Sequence, residues 1–442
     1  MSRNNKGCGC SWIFWGILFF VIVAMVFGNS ADQSIDIDNN NNYDNNNYYN
    51  NYDNNNNNIF DTNNDTDNNN NSDINNNNNN NTDNNNFLDN AVEPAPLANE
   101  QYDMLNDTQK AAYRTLLAGL KKGQMNYTFE DITLAEFEHA YLEIFQYSNP
   151  EFFWLTNSFS YRPKGNDLEV TLIAYNYWKY SSNPEKYVNE LNAKINQIVA
   201  GGSHLTDTYD KIKYVHDYLI QNLEYDYDNL DKINNTFKST EIEQLLSVYG
   251  ALINGKCVCG GYSESFLILT RAMGIESYYV EGIGGGAEGG PHAWNYLKVD
   301  GEYYHMDVTW DDMELKDQSG TPVYPENITY TYFCITSNEM NKDHEPYPRI
   351  KTPVTTATKY NYFVREGLYF DYYDYNSAIN AFKAQTGRPA FFIKFGSYTA
   401  YSQAFSELIT NGKISNAGIL ANKQYYYSGN QNTNTITIYS ND

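Results

Sequence analysis

The chain has little cysteine, little positive charge and one long apolar run. Its 442 residues include 5 cysteines, too few for a disulfide scaffold in a chain of this length. Its 29 Lys and Arg face 54 Asp and Glu, for a net charge of −25. The sequence has no basic patch to neutralise phosphates, which argues against nucleic acid as a partner. The length allows two or three globular units once non-globular parts are set aside.

The long apolar run lies near the N-terminus, at residues 12–27. With its flanks it is long enough for a membrane helix, and Arg3 and Lys6 before it favour a cytoplasmic N-terminus. We therefore expect an uncleaved signal anchor at 11–28 and a single-pass membrane protein whose remainder is extracytoplasmic. A cleavable signal peptide is the alternative, although Gly-Asn-Ser-Ala at 28–31 is a poor small-x-small cleavage site.

Composition divides the rest of the chain into further segments. Residues 29–100 are dominated by Asn and Asp and have too little apolar surface to offset chain entropy, so we expect a disordered tether. Helical periodicity follows the tether, and a tyrosine-rich composition begins after Pro346. The predicted organisation is a cytoplasmic tail at 1–10, the signal anchor at 11–28, the tether at 29–100, an α-rich N-terminal extension at 101–204, a central domain at 205–345 and a small C-terminal α/β domain at 346–442.

Local patterns predict elements in the two flanking segments. In the extension, Asn106 or Asp107 and a capping box that starts at Thr133 predict helix starts, and alternation at 168–178 predicts one strand. In the C-terminal segment we expect a strand at 362–370. The aromatic surplus of that segment is typical of a carbohydrate-contacting module, but it is also expected of a domain that packs against the central one.

The chemically informative stretch is Gly-Lys-Cys-Val-Cys-Gly-Gly-Tyr at 255–262, followed by an apolar run at 263–273. Apolar residues recur there at helical spacing and Gly274 follows as a C-cap, so the run predicts a buried helix with Cys259 at its start. Unpaired backbone N–H groups and the positive end of the helix dipole favour an anion at that place. Cys259 is therefore a candidate nucleophile in its thiolate form.

A predicted hairpin after this helix supplies a base and an acid. Two stretches rich in aromatic and β-branched residues are joined by Asp-Gly at 300–301, a strong indication of a two-residue turn. This turn fixes the strand register and predicts that His292 lies opposite Thr309. His292 and Asp307 would then be diagonal neighbours on one face of the sheet. Asp307 could bind one ring nitrogen and leave the other facing a thiol.

These three motifs resemble the transglutaminase-like superfamily of papain-type cysteine enzymes. The resemblance rests on the stretch around Cys259, on His-Ala-Trp-Asn at 292–295 and on Gly-Glu-Tyr-Tyr-His-Met-Asp-Val-Thr-Trp-Asp-Asp at 301–312. It implies that Cys259 is the nucleophile, His292 the base and Asp307 the acid that orients the base.

The resemblance covers about residues 209–312 and also implies a fold and a function. The expected fold class is α+β, with a nucleophile helix packed on an antiparallel sheet, a helical N-terminal extension and a small C-terminal α/β domain. The implied function is acyl transfer at amide bonds of proteins or cell-wall peptides, as a peptidase, amidase or transglutaminase, with no cofactor and no metal. The side chains expected to contact substrate are Gly260, Gly261, Tyr262, Trp294 and Trp310.

Three alternatives stay open at the level of the sequence. Cys257 departs from the family pattern and is a second thiol that could react. The second alternative is a zinc site with the ligands Cys257, Cys259, His292 and His305. His305 falls about 13 Å along a strand from the position opposite His292, which is too far for a shared zinc ion. The third alternative is a non-catalytic surface protein that binds a peptide or glycan.

Two features beside the motifs have weaker interpretations. The many glycines at 282–290 cannot pack a core, so we expect this stretch to be a mobile rim of the cleft or a spacer. His216 lies beside the apolar stripe of a predicted helix at 209–223, and we expect it to be structural.

Overall fold

The computed structural model describes residues 100–145, 148–230, 240–286, 289–312, 328–348, 350–418, 420 and 425–440. The predicted cytoplasmic tail, signal anchor and tether up to residue 99 lie outside these residues. Within the described ranges, no helix combines the length and the apolar composition needed to cross a membrane.

Helix starts follow the local sequence closely. Asn106 caps one helix and Thr133 opens another with a capping box to Glu136, as the sequence predicts. Short 3₁₀ segments cover Pro150–Phe152 and Lys413–Ala417, and π segments cover His139–Phe145, Gly250–Asn254 and Phe405–Thr410. The α-helices are α1 (Glu100–Asp103), α2 (Asp107–Leu120), α3 (Leu134–Glu138), α4 (Asn176–Lys179), α5 (Glu185–Gly201), α6 (Thr208–Asn222), α7 (Thr240–Gln244), α8 (Cys259–Ala272), α9 (Val308–Asp311), α10 (Ser337–Met340), α11 (Tyr362–Arg365), α12 (Tyr375–Ala384) and α13 (Tyr398–Ala404).

The strands of the described residues are arranged in separate sheets. The extension holds the order β1-β3-β2, the central segment β8-β7-β6-β9 and the two-stranded pair β4-β5, and the C-terminal segment β10-β11-β13-β12. The strands are β1 (Asn126–Phe129), β2 (Leu155–Lys164), β3 (Asp167–Ala174), β4 (Glu224–Tyr225), β5 (Lys256–Cys257), β6 (Glu276–Gly284), β7 (Gly290–Val299), β8 (Glu302–Met306), β9 (His344–Pro346), β10 (Tyr369–Phe370), β11 (Ala390–Phe395), β12 (Tyr425–Asn430) and β13 (Thr435–Ser440).

The central sheet contains the predicted hairpin. Val299 pairs with Glu302 across the Asp-Gly turn, so the predicted register is confirmed. The predicted pairing of His292 with Thr309 is wrong, because β8 ends at Met306 and Thr309 lies in the short helix α9. Asp307 ends the strand because its side chain caps that helix.

Helix α8 packs on the central sheet. Leu267 of α8 forms a buried cluster with Tyr279 of β6 and Ala293 of β7, and Cys259 packs against this cluster. The sheet itself is antiparallel at every strand pair. The predicted α+β core, with its helix laid on an antiparallel sheet, is therefore confirmed.

The N-terminal extension has more strand than the sequence predicts. Strands β1 and β2 flank β3 and complete a three-stranded sheet. Most residues of β2 are partly or fully exposed, so its sequence lacks the apolar alternation that marks a half-buried strand. The strand predicted at 168–178 ends at Ala174, and α4 follows.

The C-terminal segment is an α/β unit, as predicted, but its first element differs. The strand expected at 362–370 is wrong over most of its length, because Asn361 caps the short helix α11 and only Tyr369–Phe370 form a strand. One continuous cluster of buried apolar residues includes side chains from the extension, the central segment and this segment, such as Leu116, Phe266 and Ile438. The three segments thus share their core.

Candidate active site

Cys259 is the first residue of α8 and follows the short strand β5. Val258 is the N-cap and provides no side-chain hydrogen bond to the first turn. Cys259 is half-buried, whereas Cys257 is 0% exposed. Burial, together with the neighbouring Cys259, raises the pKa of the Cys257 thiol well above its usual value, so Cys257 stays a neutral thiol. Of these two cysteines, Cys259 is the one that is both accessible and placed at a helix start.

His292 and Asp307 form a buried pair. The Nε2 of His292 lies 2.7 Å from Oδ2 of Asp307, and Cys259 is near enough to the same imidazole to influence its pKa. Because Nε2 is bound to the carboxylate, Nδ1 is the nitrogen left for the thiol. Burial alone lowers the pKa of His292, but the charge and hydrogen bond of Asp307, with a further contribution from Cys259, raise it to about 10.

Asp307 stays ionised in this pair. Its side chain is 0% exposed, and burial raises the pKa of the carboxyl. The hydrogen bonds and charges of His292 and His344 outweigh that effect and hold the pKa well below its usual value. Its other oxygen, Oδ1, accepts from the backbone N–H of Trp310 at 3.1 Å. Both carboxylate oxygens are therefore held in place.

The helical turn that carries Asp307 is anchored by a second His–Asp contact. Nε2 of His216 lies 3.2 Å from Oδ2 of Asp311, and Oδ1 of Asp311 accepts from the backbone N–H of Tyr332 at 3.0 Å. His216 is 0% exposed and belongs to α6. This placement agrees with the structural role that we predict for His216, because it fixes α9 to the body of the domain.

The glycines at the end of β6 have a steric role. His292 of β7 pairs with Gly282, and His344 of β9 pairs with Gly284. A Cβ at Gly284 would lie 2.9 Å from the ring of His292. The missing side chains let rings from the two flanking strands meet across β6. The expected rim or spacer at 282–290 is wrong at both ends, because residues 282–284 belong to β6 and Gly290 begins β7.

His344 is a residue of the site that has no predicted role. Its Nε2 lies 3.0 Å from Oδ2 of Asp307, and its Nδ1 lies 2.7 Å from Oδ1 of Asp343. It is 2% exposed. The contact of His344 with Asp307 depends on the long-range pairing of β9 with β6. The sequence indicates it only weakly, through an Asp-His pair before a Pro-containing segment.

The five residues predicted to contact substrate have different environments. Trp310 is half-buried with its ring centre 5.2 Å from that of His292, so it can line the site. Trp294 and Tyr262 are each 0% exposed, and the Tyr262 hydroxyl donates to Asp312, so both support the core. Gly260 and Gly261 are buried as well.

The two glycines after Cys259 bring protein, rather than substrate, close to the helix. A Cβ at Gly261 would lie 2.5 Å from Cβ of Cys257, and one at Gly260 would lie 3.0 Å from the carbonyl oxygen of Leu246. The glycine pair therefore lets the segment before α8 pack against its first turn.

Tyr225 is a second residue near the nucleophile without a predicted role. Burial, and then the nearby Cys259, raise the pKa of Tyr225 well above its usual value. Its ring centre is 4.6 Å from that of Tyr227, which is 52% exposed. Tyr225 and Tyr227 thus form an aromatic pair, of which Tyr225 lies near Cys259.

The zinc alternative is weakened by His305. Its Nε2 lies 2.9 Å from Oγ of Ser337, so this ring is used elsewhere in the core. A different set, His292, Asp307 and His344, does bring ligand-type atoms within 4.8 Å of one another. Both imidazoles face the same carboxylate oxygen at hydrogen-bond distance, so protons on the two nitrogens account for this geometry without a metal.

The comparison with family models concerns the same region. Residues 195–308 match the family model of the transglutaminase-like superfamily, Transglut_core. No curated protein sequence matches the chain.

Solved structures resemble part of the chain at low identity. A crystal structure of a TGase is 20% identical with a TM-score of 0.25, over 39% of this chain and 49% of that chain. A proposed cysteine protease from Cytophaga hutchinsonii is 12% identical with a TM-score of 0.22, over 34% of this chain and 61% of that chain. A proposed protease from Parabacteroides distasonis is 10% identical with a TM-score of 0.19, over 34% and 35%. The chain thus spans less than two thirds of each of these proteins. The similarity to the transglutaminase-like superfamily is therefore carried by the central segment, residues 195–308.

Proposed function

We propose that the chain is a cysteine acyl-transfer enzyme that acts on amide bonds of proteins or peptides. The observation that carries this proposal is the half-buried Cys259 at a helix start beside His292, whose ring is itself hydrogen-bonded to Asp307. A buried structural cysteine has no need for an oriented imidazole beside it. The function follows from the combination of the three groups, and no single residue would carry it.

Cys259, His292 and Asp307 each act in both halves of the reaction, the formation of the acyl-enzyme and its breakdown. Sγ of Cys259 bonds to the amide carbonyl carbon while His292 holds the thiol proton. The C–N bond then breaks, the amine leaves with the proton from His292, and a thioester remains on Cys259. Water or a second amine attacks the thioester, His292 accepts its proton, and the thiol is regenerated. Asp307 fixes the imidazole and stabilises its charged form.

The negative charge that develops on the carbonyl oxygen must be stabilised by hydrogen-bond donors close to that oxygen. The backbone N–H of Cys259 belongs to the first turn of α8, where N–H groups lack intrahelical acceptors. We propose this N–H as one oxyanion donor. Trp310, half-buried over His292, is the side chain proposed to contact substrate.

Trapping of the acyl intermediate tests the proposal. The purified full-length chain would be incubated with synthetic peptides that contain both backbone and glutamine amides, with and without a fluorescent primary amine. We expect an acyl adduct on Cys259 by mass spectrometry, resolved to acid by water or to a labelled product by the amine. Tight peptide binding without any adduct or product would favour a non-catalytic binding protein instead.

The pH profile follows from the raised pKa of His292. The protonated imidazole must give its proton to the leaving amine, and it loses that proton only as the pH rises through about 10. We expect kcat/KM for an amide substrate to fall on the alkaline side near that pH. In Asp307→Asn the interaction that raises the pKa of His292 is lost, whereas the burial that lowers this pKa remains. The alkaline limb of the pH profile should therefore move down by several pH units. An unmoved limb would mean that Asp307 does not set it.

We also propose that the enzyme is anchored by the apolar run at 12–27 with its folded part outside the cytoplasm. Arg3 and Lys6 precede this run, and the acidic tract after it carries no positive charge. Protease added to intact cells should therefore cut the Asn-rich tether and release the folded part into the medium. Digestion only after lysis would place the enzyme in the cytoplasm. A mature N-terminus near Ala31 would make it a secreted protein.

A further inference from the structure

His344 lies between two carboxylates. Its Nε2 faces Oδ2 of Asp307 at 3.0 Å, and its Nδ1 faces Oδ1 of Asp343 at 2.7 Å. An ionised carboxylate only accepts hydrogen bonds, so Nε2 of His344 is the donor to Oδ2 of Asp307. Oδ2 of Asp307 thus accepts from two imidazoles, His344 and His292, and its position depends on both.

The surroundings leave His344 little freedom. Its ring centre is 4.2 Å from that of Trp310 and 4.9 Å from that of Trp294. His344 is 2% exposed and Asp343 is 6% exposed. Hydrogen bonds in such a poorly solvated place are stronger, and the loss of one partner is correspondingly costly. The orientation of Asp307 is therefore coupled to the placement of Asp343.

Asp343 is held in turn by the C-terminal segment. Its Oδ2 accepts from the hydroxyl of Tyr332 at 2.8 Å and from Nδ2 of Asn432 at 2.8 Å. Asn432 lies in the turn between β12 and β13, far along the chain from the three motifs. Nζ of Lys342 donates to the carbonyl oxygen of Asn432 and ties the same turn to the segment that carries Asp343.

We propose that His344 is a positioning residue for Asp307, and that the β12–β13 turn supports the active site through Asn432, Asp343 and His344. This inference rests on the proposed function, because the group that is positioned is the acid of the Cys259–His292–Asp307 set. It assigns the C-terminal segment a role in the chemistry of the central domain without any contact with substrate.

Turnover of p-nitrophenyl acetate by the purified full-length chain tests the role of His344. In His344→Leu the donor to Asp307 is lost, and kcat should fall about 10- to 100-fold, the range seen for partners that orient reactive groups, while KM changes little. His344→Gln keeps an N–H donor near the position of Nε2 and should recover part of the loss. Asn432→Leu should lower kcat by a smaller factor. Gln431→Ala, an exposed neighbour in the same turn, is the matched control and should behave as wild type.

A spectroscopic readout keeps the inference separate from the proposed function. With ¹⁵N-labelled histidine, the Nε2–H signal of His292 reports its hydrogen bond to Asp307 whether or not the enzyme turns over. We expect this signal to shift or broaden in His344→Leu and to return toward wild type in His344→Gln, with thermal unfolding recorded for each variant. A wild type without turnover, but with this pattern, would reject the proposed function and retain the positioning role. An unchanged His292 signal in a folded His344→Leu, or an equal loss in the Leu and Gln variants, would overturn the inference.

Discussion

Cys259→Ala is expected to abolish amide-bond chemistry, with a loss on the order of 10⁶-fold in kcat by comparison with other deleted nucleophiles. Alanine leaves no group that can form the acyl intermediate, whereas His292 and Asp307 remain in place. Cys257→Ala should retain most of the activity, because its thiol is 0% exposed and burial raises its pKa well above the usual value. Both variants would be assayed for product formation from the same trapped peptide.

The two cysteines make a matched pair, since they are two residues apart and receive the same substitution. Cys257 packs against Gly261, so its removal leaves a small cavity and should lower thermal stability slightly. That cost is measured separately by thermal unfolding. Equal losses of activity in the two folded variants would contradict the assignment of Cys259 as the nucleophile.

Asp307→Asn is expected to fold and to lose roughly 3–5 kcal/mol of transition-state stabilisation by analogy with other triads. That is about 10²- to 10⁴-fold in kcat/KM. An asparagine keeps the shape but removes the charge that raises the pKa of His292, and its amide can present the wrong group to Nε2. Steady-state kinetics on the variant measure the loss. Unchanged turnover would show that the 2.7 Å contact with His292 has no catalytic use.

Local sequence predicts the parts of the site that lie close together in the chain. The Asp-Gly turn predicts the register that brings Val299 opposite Glu302, because a two-residue turn permits few pairings. The register places the end of β8 near His292, but Asp307 reaches His292 as the cap of α9, which the register does not predict. The position of Cys259 at a helix start follows from the apolar periodicity after it. These conclusions need only neighbouring residues.

The remainder of the site depends on contacts that are distant in sequence. His344 reaches Asp307 because β9 pairs with β6, and a three-residue strand has too little pattern to predict that pairing. Whether Trp294 contacts substrate or fills the core depends on which distant segments pack over it. In the structure its side chain is fully buried. The glycine pair beside Cys259 is suited either to an approaching substrate or to an approaching segment of the protein, and sequence alone does not choose between them.

The reactivity of Cys259 toward iodoacetamide tests its role as an activated nucleophile, and the assay needs no knowledge of the substrate. The purified full-length chain would be labelled near neutral pH, and modification at each cysteine followed by peptide mass spectrometry. We expect Cys259 to react much faster than free cysteine, Cys257 to react slowly, and the fast reaction at Cys259 to be lost in His292→Ala. Labelling of wild-type Cys259 no faster than free cysteine would contradict its assignment as the nucleophile.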